Sequence, residues 1–420
     1  MTAIRMRRFD ARALCLACFT SLSCITAAHA ASLLPQIYLV PAPTLGGGAQ
    51  VEAVVTADFD RDGRVDFAVS NDFFNGDNQI QIWFGNALGS FNRRGRGVDA
   101  AQASSVVVAD FNRDGYPDLA YAGTPQNNAD TYRAVVLLND GRGNFPTRLT
   151  FGSHNVFRIA AGDVNGDHNP DLLLQNFSGV DTYLGDGHGN FSAAAQFCCG
   201  DFFDFADFDG DGITDMVASQ RLDPNAQNIV ETLTVHLGSS SGTFGAAMPI
   251  AGFTAAYGMT FINADFNGDG RADLLVASGD PIGTVLLGNG HGGFTPMQPL
   301  TLPASSVVIG AGDFNGDGRI DVAIGTTRNL PLPTLSLLFT LVESISVAPG
   351  DGHGGFGPPQ SYGPIVGGTL GGFAAADHNA DGRQDLFVAA RTTLEFQVPL
   401  PNADARRPIG PGYVYVYNGR

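Results

Sequence analysis

Seven short stretches of the chain carry acidic and amide side chains at spacings that suit a metal ion, each reading Asp-x-Asp/Asn-x-Asp-x-x-x-Asp. The first two sets are Asp58, Asp60, Asp62 and Asp66, then Asp110, Asn112, Asp114 and Asp118. Next come Asp163, Asn165, Asp167 and Asp171, then Asp207, Asp209, Asp211 and Asp215. The last three are Asp265, Asn267, Asp269 and Asp273; Asp313, Asn315, Asp317 and Asp321; and Asp377, Asn379, Asp381 and Asp385. Alternate residues of a tight turn point their side chains at one centre, and calcium takes six to eight oxygens at about 2.3–2.6 Å. The sixth position needs a positive φ and is Gly in six loops; the third has His168, which adopts that conformation at a cost. That loop is therefore expected to be the weakest.

Position twelve, where an EF-hand supplies a bidentate Glu, is apolar here, as at Ile324 of the sixth loop. Position nine is expected to supply the closing carboxylate instead, making a nine-residue loop that is complete in itself. Packing three or four carboxylates into a few ångströms is repulsive unless a cation lies among them. The expectation is up to seven structural Ca²⁺ ions; acidic turns without metal are the alternative.

Charge and composition narrow the class. Lys is absent, all 23 basic side chains are Arg, and only Glu52, Glu231, Glu343 and Glu395 of the 41 acids are Glu. Acidity carried by Asp belongs to turns and metal loops rather than to solvated helices. A net charge of −18 excludes the basic face that nucleic acid requires. There is no HExxH and no Lys for a Schiff base. With Asp so abundant, a catalytic carboxylate pair stays open.

The elements that position the loops follow from what flanks them. Apolar, β-branched runs precede the loops, as at Val106-Val107-Val108, and follow them, as at Val322-Ala323-Ile324. Short and bounded by turns, they predict strands. About 20 residues beyond each of the first six loops lies a Gly-rich turn ending in Phe, clearest at Leu184 to Phe191 and Leu287 to Phe294. His188, His291 and His353 in these turns share their slot with Leu88, Arg142 and Ser241, which marks a tolerant turn position rather than a metal or catalytic one. Each repeat of about 53 residues thus supplies four strands, a sheet that cannot bury both faces alone. Seven such sheets arranged radially predict an all-β, seven-bladed β-propeller over 31–420. The seventh repeat ends before its fourth strand, and Gln36 to Val40 reads as a fourth strand lacking its first three. The N-terminal strand is expected to complete the C-terminal blade and close the ring.

Residues 1–30 read as a secretory signal peptide. Arg5, Arg7, Arg8 and Arg12 precede an apolar run that ends at Ala28-His29-Ala30. Cleavage near Ala30 predicts a secreted or periplasmic monomer with no membrane span. Beyond that point only Cys198 and Cys199 remain, either as a vicinal disulfide or reduced.

The Asp loops and the Gly-x-Gly-x-Phe turns resemble the FG-GAP or VCBS repeats of integrin α-subunit propellers and of many secreted bacterial proteins. The resemblance spans nearly all of the chain after residue 30 and implies a calcium-stabilised propeller used in adhesion, glycan or protein recognition, or scaffolding. The expected partner is a surface glycan or an extracellular protein. A polysaccharide lyase or hydrolase on the same ring is the alternative. Loops opposite the Asp loops differ between repeats and are the expected binding surface. Candidate contacts there are Phe73, Phe74, Tyr132, Arg133, Arg221, Arg391, Arg406 and Arg407.

Overall fold

The structure is a computed structural model. It describes residues 36–40, 49–73, 79–93, 97–124, 133–152, 155–197, 203–221, 230–256, 260–277, 282–297, 299–302, 306–331, 338–363, 369–391 and 412–419. The proposed signal peptide, Cys198 and Cys199, and the candidate contacts Phe74, Tyr132, Arg406 and Arg407 lie outside them. No helix among the described residues is long and apolar enough to cross a membrane.

Seven antiparallel sheets form the blades of a β-propeller. Blade 3 shows the plan: Arg158–Gly162, Asp171–Asn176, Gly179–Gly185 and Phe191–Phe197 pair in sequence order. In blades 1, 4 and 5 the fourth strand is broken, so that two short segments pair with the third; in blade 1 these are Phe91–Arg93 and Val98–Asp99. Blade 7 takes Thr369–Ala376, Asp385–Arg391 and Gly412–Tyr417 from the C-terminal end and Gln36–Val40 from the N-terminal end. The pairing of Ile37 with Tyr415 and Leu39 with Tyr413 closes the ring as expected.

The apolar runs are continuous because the second strand of each blade is buried on both faces. Leu172 and Leu174 pack with Phe111, Val136 and Ile159 toward blade 2, while Leu173 packs with Phe203 and Met216 toward blade 4. The core is accordingly seven clusters, one in each seam between neighbouring blades. A repeated aromatic pair fills several seams. The residue after the first Asp of a loop meets, edge to face, the Phe that ends the next blade's Gly-rich turn. Phe59 meets Phe145, Phe111 meets Phe191, Phe208 meets Phe294, and Phe266 meets Phe356, with centroids 5.4–6.0 Å apart. At the closing seam this slot holds His378, which stacks on Phe91 at 5.3 Å. Each edge-to-face pair adds about 0.5–1.5 kcal/mol beyond its buried area.

Candidate metal loops and the opposite face

Each Asp loop joins the first strand of a blade to the second, and the second strand begins at the position-nine Asp in all seven blades. The first Asp organises the turn. Asp58 accepts the N–H of Asp62 and of Gly63 on its two oxygens, at 3.0 and 2.9 Å. Asp265 repeats the arrangement with Asp269 and Gly270 at 3.0 and 2.8 Å. The fifth-position Asp accepts the N–H two residues on, as Asp317 does from Arg319 at 3.0 Å. A carboxylate has about four lone-pair sites, so these bonds leave acceptor capacity on the loop acids.

Two positions per loop have positive φ, one more than the residue pattern suggested. Position six is Gly63, with φ 81°, and its equivalents; His168 takes φ 65° there. Position four is Gly in four loops but Arg61, Arg113 and Ala380 in the others, at φ 55–57°. A Cβ on Gly63 would meet nothing within 4 Å, so the requirement at position six is conformational rather than steric.

The position-nine Asp is fully buried in every blade. One of its oxygens accepts the N–H of position two of its own loop: Phe59, Phe111, Val164, Phe208, Phe266, Phe314 and His378, at 2.7–3.1 Å. The other accepts the N–H that opens the Gly-rich turn in six blades, Gly85, Asn139, Gly185, Gly238, Gly288 and Gly350, and that of Gly419 in blade 7, at 2.7–2.9 Å. The same side chain thus bolts loop to turn, and both lie on one face of the ring. The approach is close enough to explain the glycine. A Cβ on Gly85, Gly185, Gly288 or Gly350 would lie 2.1–2.4 Å from the carbonyl oxygen of position eight. Blade 2 has Asn139 instead, whose side-chain amide donates to the Pro117 carbonyl at 3.0 Å and across the seam to Phe59 at 2.9 Å.

Burial pushes six of these carboxyls up, those of Asp66, Asp118, Asp171, Asp215, Asp273 and Asp321; the backbone N–H bonds oppose it, and other acids of the same loop add to it, Asp60 and Asp58 for Asp66, Asp114 and Asp110 for Asp118. Asp66 and Asp118 reach about 7, Asp171 and Asp215 about 6, and Asp273 and Asp321 shift the same way. A cation in the loop would reverse that repulsion.

The loops divide into two kinds. In the first and fourth, where position three is Asp, one carboxylate oxygen from each of Asp58, Asp60 and Asp66, and likewise of Asp207, Asp209 and Asp211, falls within 4.8 Å of the others. In the second, third and fifth loops position three is Asn, and its amide donates to the position-five carboxylate: Asn112 to Asp114 at 2.8 Å, Asn165 to Asp167 at 3.0 Å, Asn267 to Asp269 at 3.2 Å. Asn315 turns instead to Asp321 at 3.3 Å. The all-Asp loops lack that internal donor. An all-oxygen donor set of this kind suits a hard divalent cation. Sequence reading named these residues for their spacing but not the second task of position nine, since its partners lie in another turn.

Second strands end, and third strands begin, at the opposite face, where 177–178 is the described connection between them. Second-to-third connections run from two residues (177–178) to twenty (392–411), in contrast to the constant Asp loops. Phe73, Arg221 and Arg391 end second strands at this face, and Arg133, opening a third strand, is half-buried. Sequence reading passed over Phe157 and Phe177, which are 39% and 85% exposed at this face of blade 3. An aromatic at a two-residue hairpin tip was the available signal.

Comparison with known proteins agrees with this architecture. The model of the FG-GAP-like repeat matches residues 58–121, 163–218, 207–276 and 265–324, together more than half of the chain. A phosphatidylinositol-glycan-specific phospholipase D from Bos taurus is 27% identical over 150 residues, 29% of this chain and 18% of that protein. The chain therefore spans under a fifth of that relative's length. Among solved structures, an Agrocybe aegerita lectin specific for non-reducing terminal N-acetylglucosamine is similar with a TM-score of 0.53 and 19% identity, over 76% of this chain and 81% of the lectin. An exotype rhamnogalacturonan lyase gives 0.46 and 12% identity over 91% and 76% of the two chains. Asp loops, Gly-rich turns, seven four-stranded blades and the family match all converge, and the chain belongs to the FG-GAP-like repeat family.

Proposed function

We propose that the protein is an exported, calcium-stabilised β-propeller that recognises a surface glycan or an extracellular protein through the face opposite its Asp loops. The calcium assignment rests on the carboxylate oxygens of Asp58, Asp60 and Asp66, and of Asp207, Asp209 and Asp211, gathered within 4.8 Å. In each loop, positions one, three, five and nine would hold the ion. The ion would supply charge compensation and lock the corner between the first two strands, a structural rather than catalytic contribution. The seven loops are joined by the position-nine Asp to the Gly-rich turns, so the metal would stiffen the whole loop face.

The recognition assignment rests on the asymmetry of the ring. Repeated, uniform loops cover one face, whereas the sequence between second and third strands, which end and begin at the other, varies from two to twenty residues. Variation concentrated on one side of a rigid scaffold is how binding surfaces are built. An exposed aromatic pair on that side favours recognition over the lyase or hydrolase reading, which would need converging carboxylates. A lectin of similar fold, from Agrocybe aegerita, recognises non-reducing terminal N-acetylglucosamine.

Two measurements test this. Calorimetric titration of metal-stripped protein should show several calcium sites, with a higher melting temperature once they fill; no uptake of heat and an unchanged melt would refute the metal assignment. A glycan array probed with the calcium-loaded protein should give a defined sugar class. A blank array would turn the search toward a protein partner or an enzymatic activity.

A further inference from the structure

Large hydrophobic side chains that stay exposed among the described residues are few: Leu88 at 90%, Phe177 at 85% and Phe157 at 39%. Leu88 stands alone on a Gly-rich turn of the loop face. The two phenylalanines stand together on the opposite face, with ring centroids 5.3 Å apart and planes inclined at 43°. Burying a Phe side chain is worth about 1.5–3 kcal/mol, so leaving one almost wholly in water is a stability loss with no return inside this fold.

Both rings are held on stiff backbone. Phe177 occupies the two-residue tip between Asp171–Asn176 and Gly179–Gly185. The tip is pinned by Asn176, whose amide donates to Asp181 at 2.9 Å and whose oxygen accepts the Ser178 N–H at 2.7 Å. The N–H of Phe157 donates to the Gln175 carbonyl at 3.0 Å, and its own carbonyl accepts the Ser104 hydroxyl of blade 2 at 3.1 Å. A rigid, partly apolar platform loses little conformational entropy when something settles on it.

The next residue brings polar chemistry to the same strand end. Arg158 reaches into blade 4, where its guanidinium donates to the Phe203 carbonyl and lies 3.5 Å from the Asp204 carboxylate. Asp204 also accepts the side-chain amide of Asn263 from blade 5, at 2.9 Å. It lies three residues before its loop, where the other repeats have Val55, Val107, Ala160, Ile262, Gly310 and Ala374. A charge at that point of the inner strand is therefore particular to blade 4. The result is a cation–anion pair in which the Arg158 guanidinium stays half-exposed and offers donors, while the Asp204 carboxylate is largely buried.

We propose that the Phe157–Phe177 platform, with the Arg158–Asp204 pair that begins at the next residue of the same strand end, is a subsite for a neutral pyranose. A pyranose presents a flat C–H face that stacks on an aromatic ring and hydroxyls that donate and accept at its edge, the two kinds of surface found here. The charge balance decides the class. The Arg158 cation, already compensated by Asp204, has no net positive charge left for a uronate or sulfated sugar, whereas an uncharged sugar meets a pair that is neutral as a whole. The subsite rests on the reading of the opposite face as a glycan-recognition surface and assigns its substrate class.

The test titrates the calcium-loaded full chain with cellohexaose, mannohexaose, chitohexaose and an oligogalacturonide, for wild type and for Phe177→Ala and Phe177→Trp. Because Phe177 is exposed, both variants should melt with the wild type. One of the neutral oligosaccharides should bind, Phe177→Ala should weaken it at least tenfold, Phe177→Trp should retain it, and the galacturonide should not compete. Neutral-sugar binding that survives Phe177→Ala overturns the subsite while leaving glycan recognition standing. Failure of all three neutral sugars on folded wild type overturns the subsite, and failure of the galacturonide as well overturns the glycan reading with it. Sedimentation in which Phe177→Ala abolishes self-association would assign the platform to a second copy of the chain and likewise overturn the sugar subsite.

Discussion

The position-nine carboxylate should matter to the fold even when no metal is present, and Asp118 is the place to test it. Its side chain is fully buried, and it accepts the Phe111 N–H at 3.0 Å and the Asn139 N–H at 2.7 Å. Asp118→Ala leaves both backbone donors inside the protein without an acceptor. Each such orphan costs about 1–3 kcal/mol, and relief from burying a carboxylate returns part of it. A net loss of about 2–4 kcal/mol follows. Unfolding entropy of roughly 2.1 cal/mol/K per residue, taken over a ring of this size, converts that into a fall of about 3–5 °C in melting temperature if the ring melts as one unit. The control is Asp114→Ala in the same loop. Asp114 is exposed and accepts the Tyr116 N–H at 2.9 Å, so without metal its loss should stay within about 0.5 kcal/mol. Scanning calorimetry of both variants in EDTA and in millimolar calcium separates the two roles. In EDTA only Asp118→Ala should fall; in calcium both should, Asp118→Ala further. A melting point for Asp118→Ala in EDTA that matches wild type within about 1 °C would refute the bolting role derived from the geometry.

Three further outcomes follow from the same geometry. His168→Gly relieves a side chain held at φ 65° and should raise the urea midpoint by the equivalent of about 0.5–1 kcal/mol, with calcium uptake by the third loop unimpaired or improved. In metal-stripped protein the carboxyls of Asp66 and Asp118, raised to about 7, and of Asp171 and Asp215, raised to about 6, bind protons more tightly folded than unfolded, where the reference value is 3.8. Their contribution is complete below about pH 4 and is lost as pH rises through 6 to 7, so the urea midpoint should be higher at pH 5.5 than at pH 8, and calcium should abolish or invert that difference. Deleting Gln36–Val40 uncovers Gly412–Tyr417 as an unpaired edge beside the closing seam, where Val414 and Val416 are buried, and should convert the protein to aggregates visible by size-exclusion chromatography.

What could be read from the residues was whatever is decided locally. A calcium-type turn is nine consecutive residues, so its Asp spacing and its position-six Gly announce it without reference to the rest of the chain. Strand, loop, strand, turn and strand recur in phase, and sheets with two apolar faces have to stack on one another, which made seven blades and a shared closing blade legible before any coordinate. The tertiary structure decided what depends on partners far along the chain. Asp66 is one more acid in a repeat until folding sets it against Gly85, and only that approach explains both its burial and the glycine. Phe59 and Phe145 read alike as apolar, and their edge-to-face meeting exists only because successive blades pack side by side. Phe177 could as well have been core; it is the two-residue hairpin, pointing away from every seam, that leaves it in water. Turn chemistry is a property of neighbouring residues, whereas burial and cross-seam contact are properties of the closed ring.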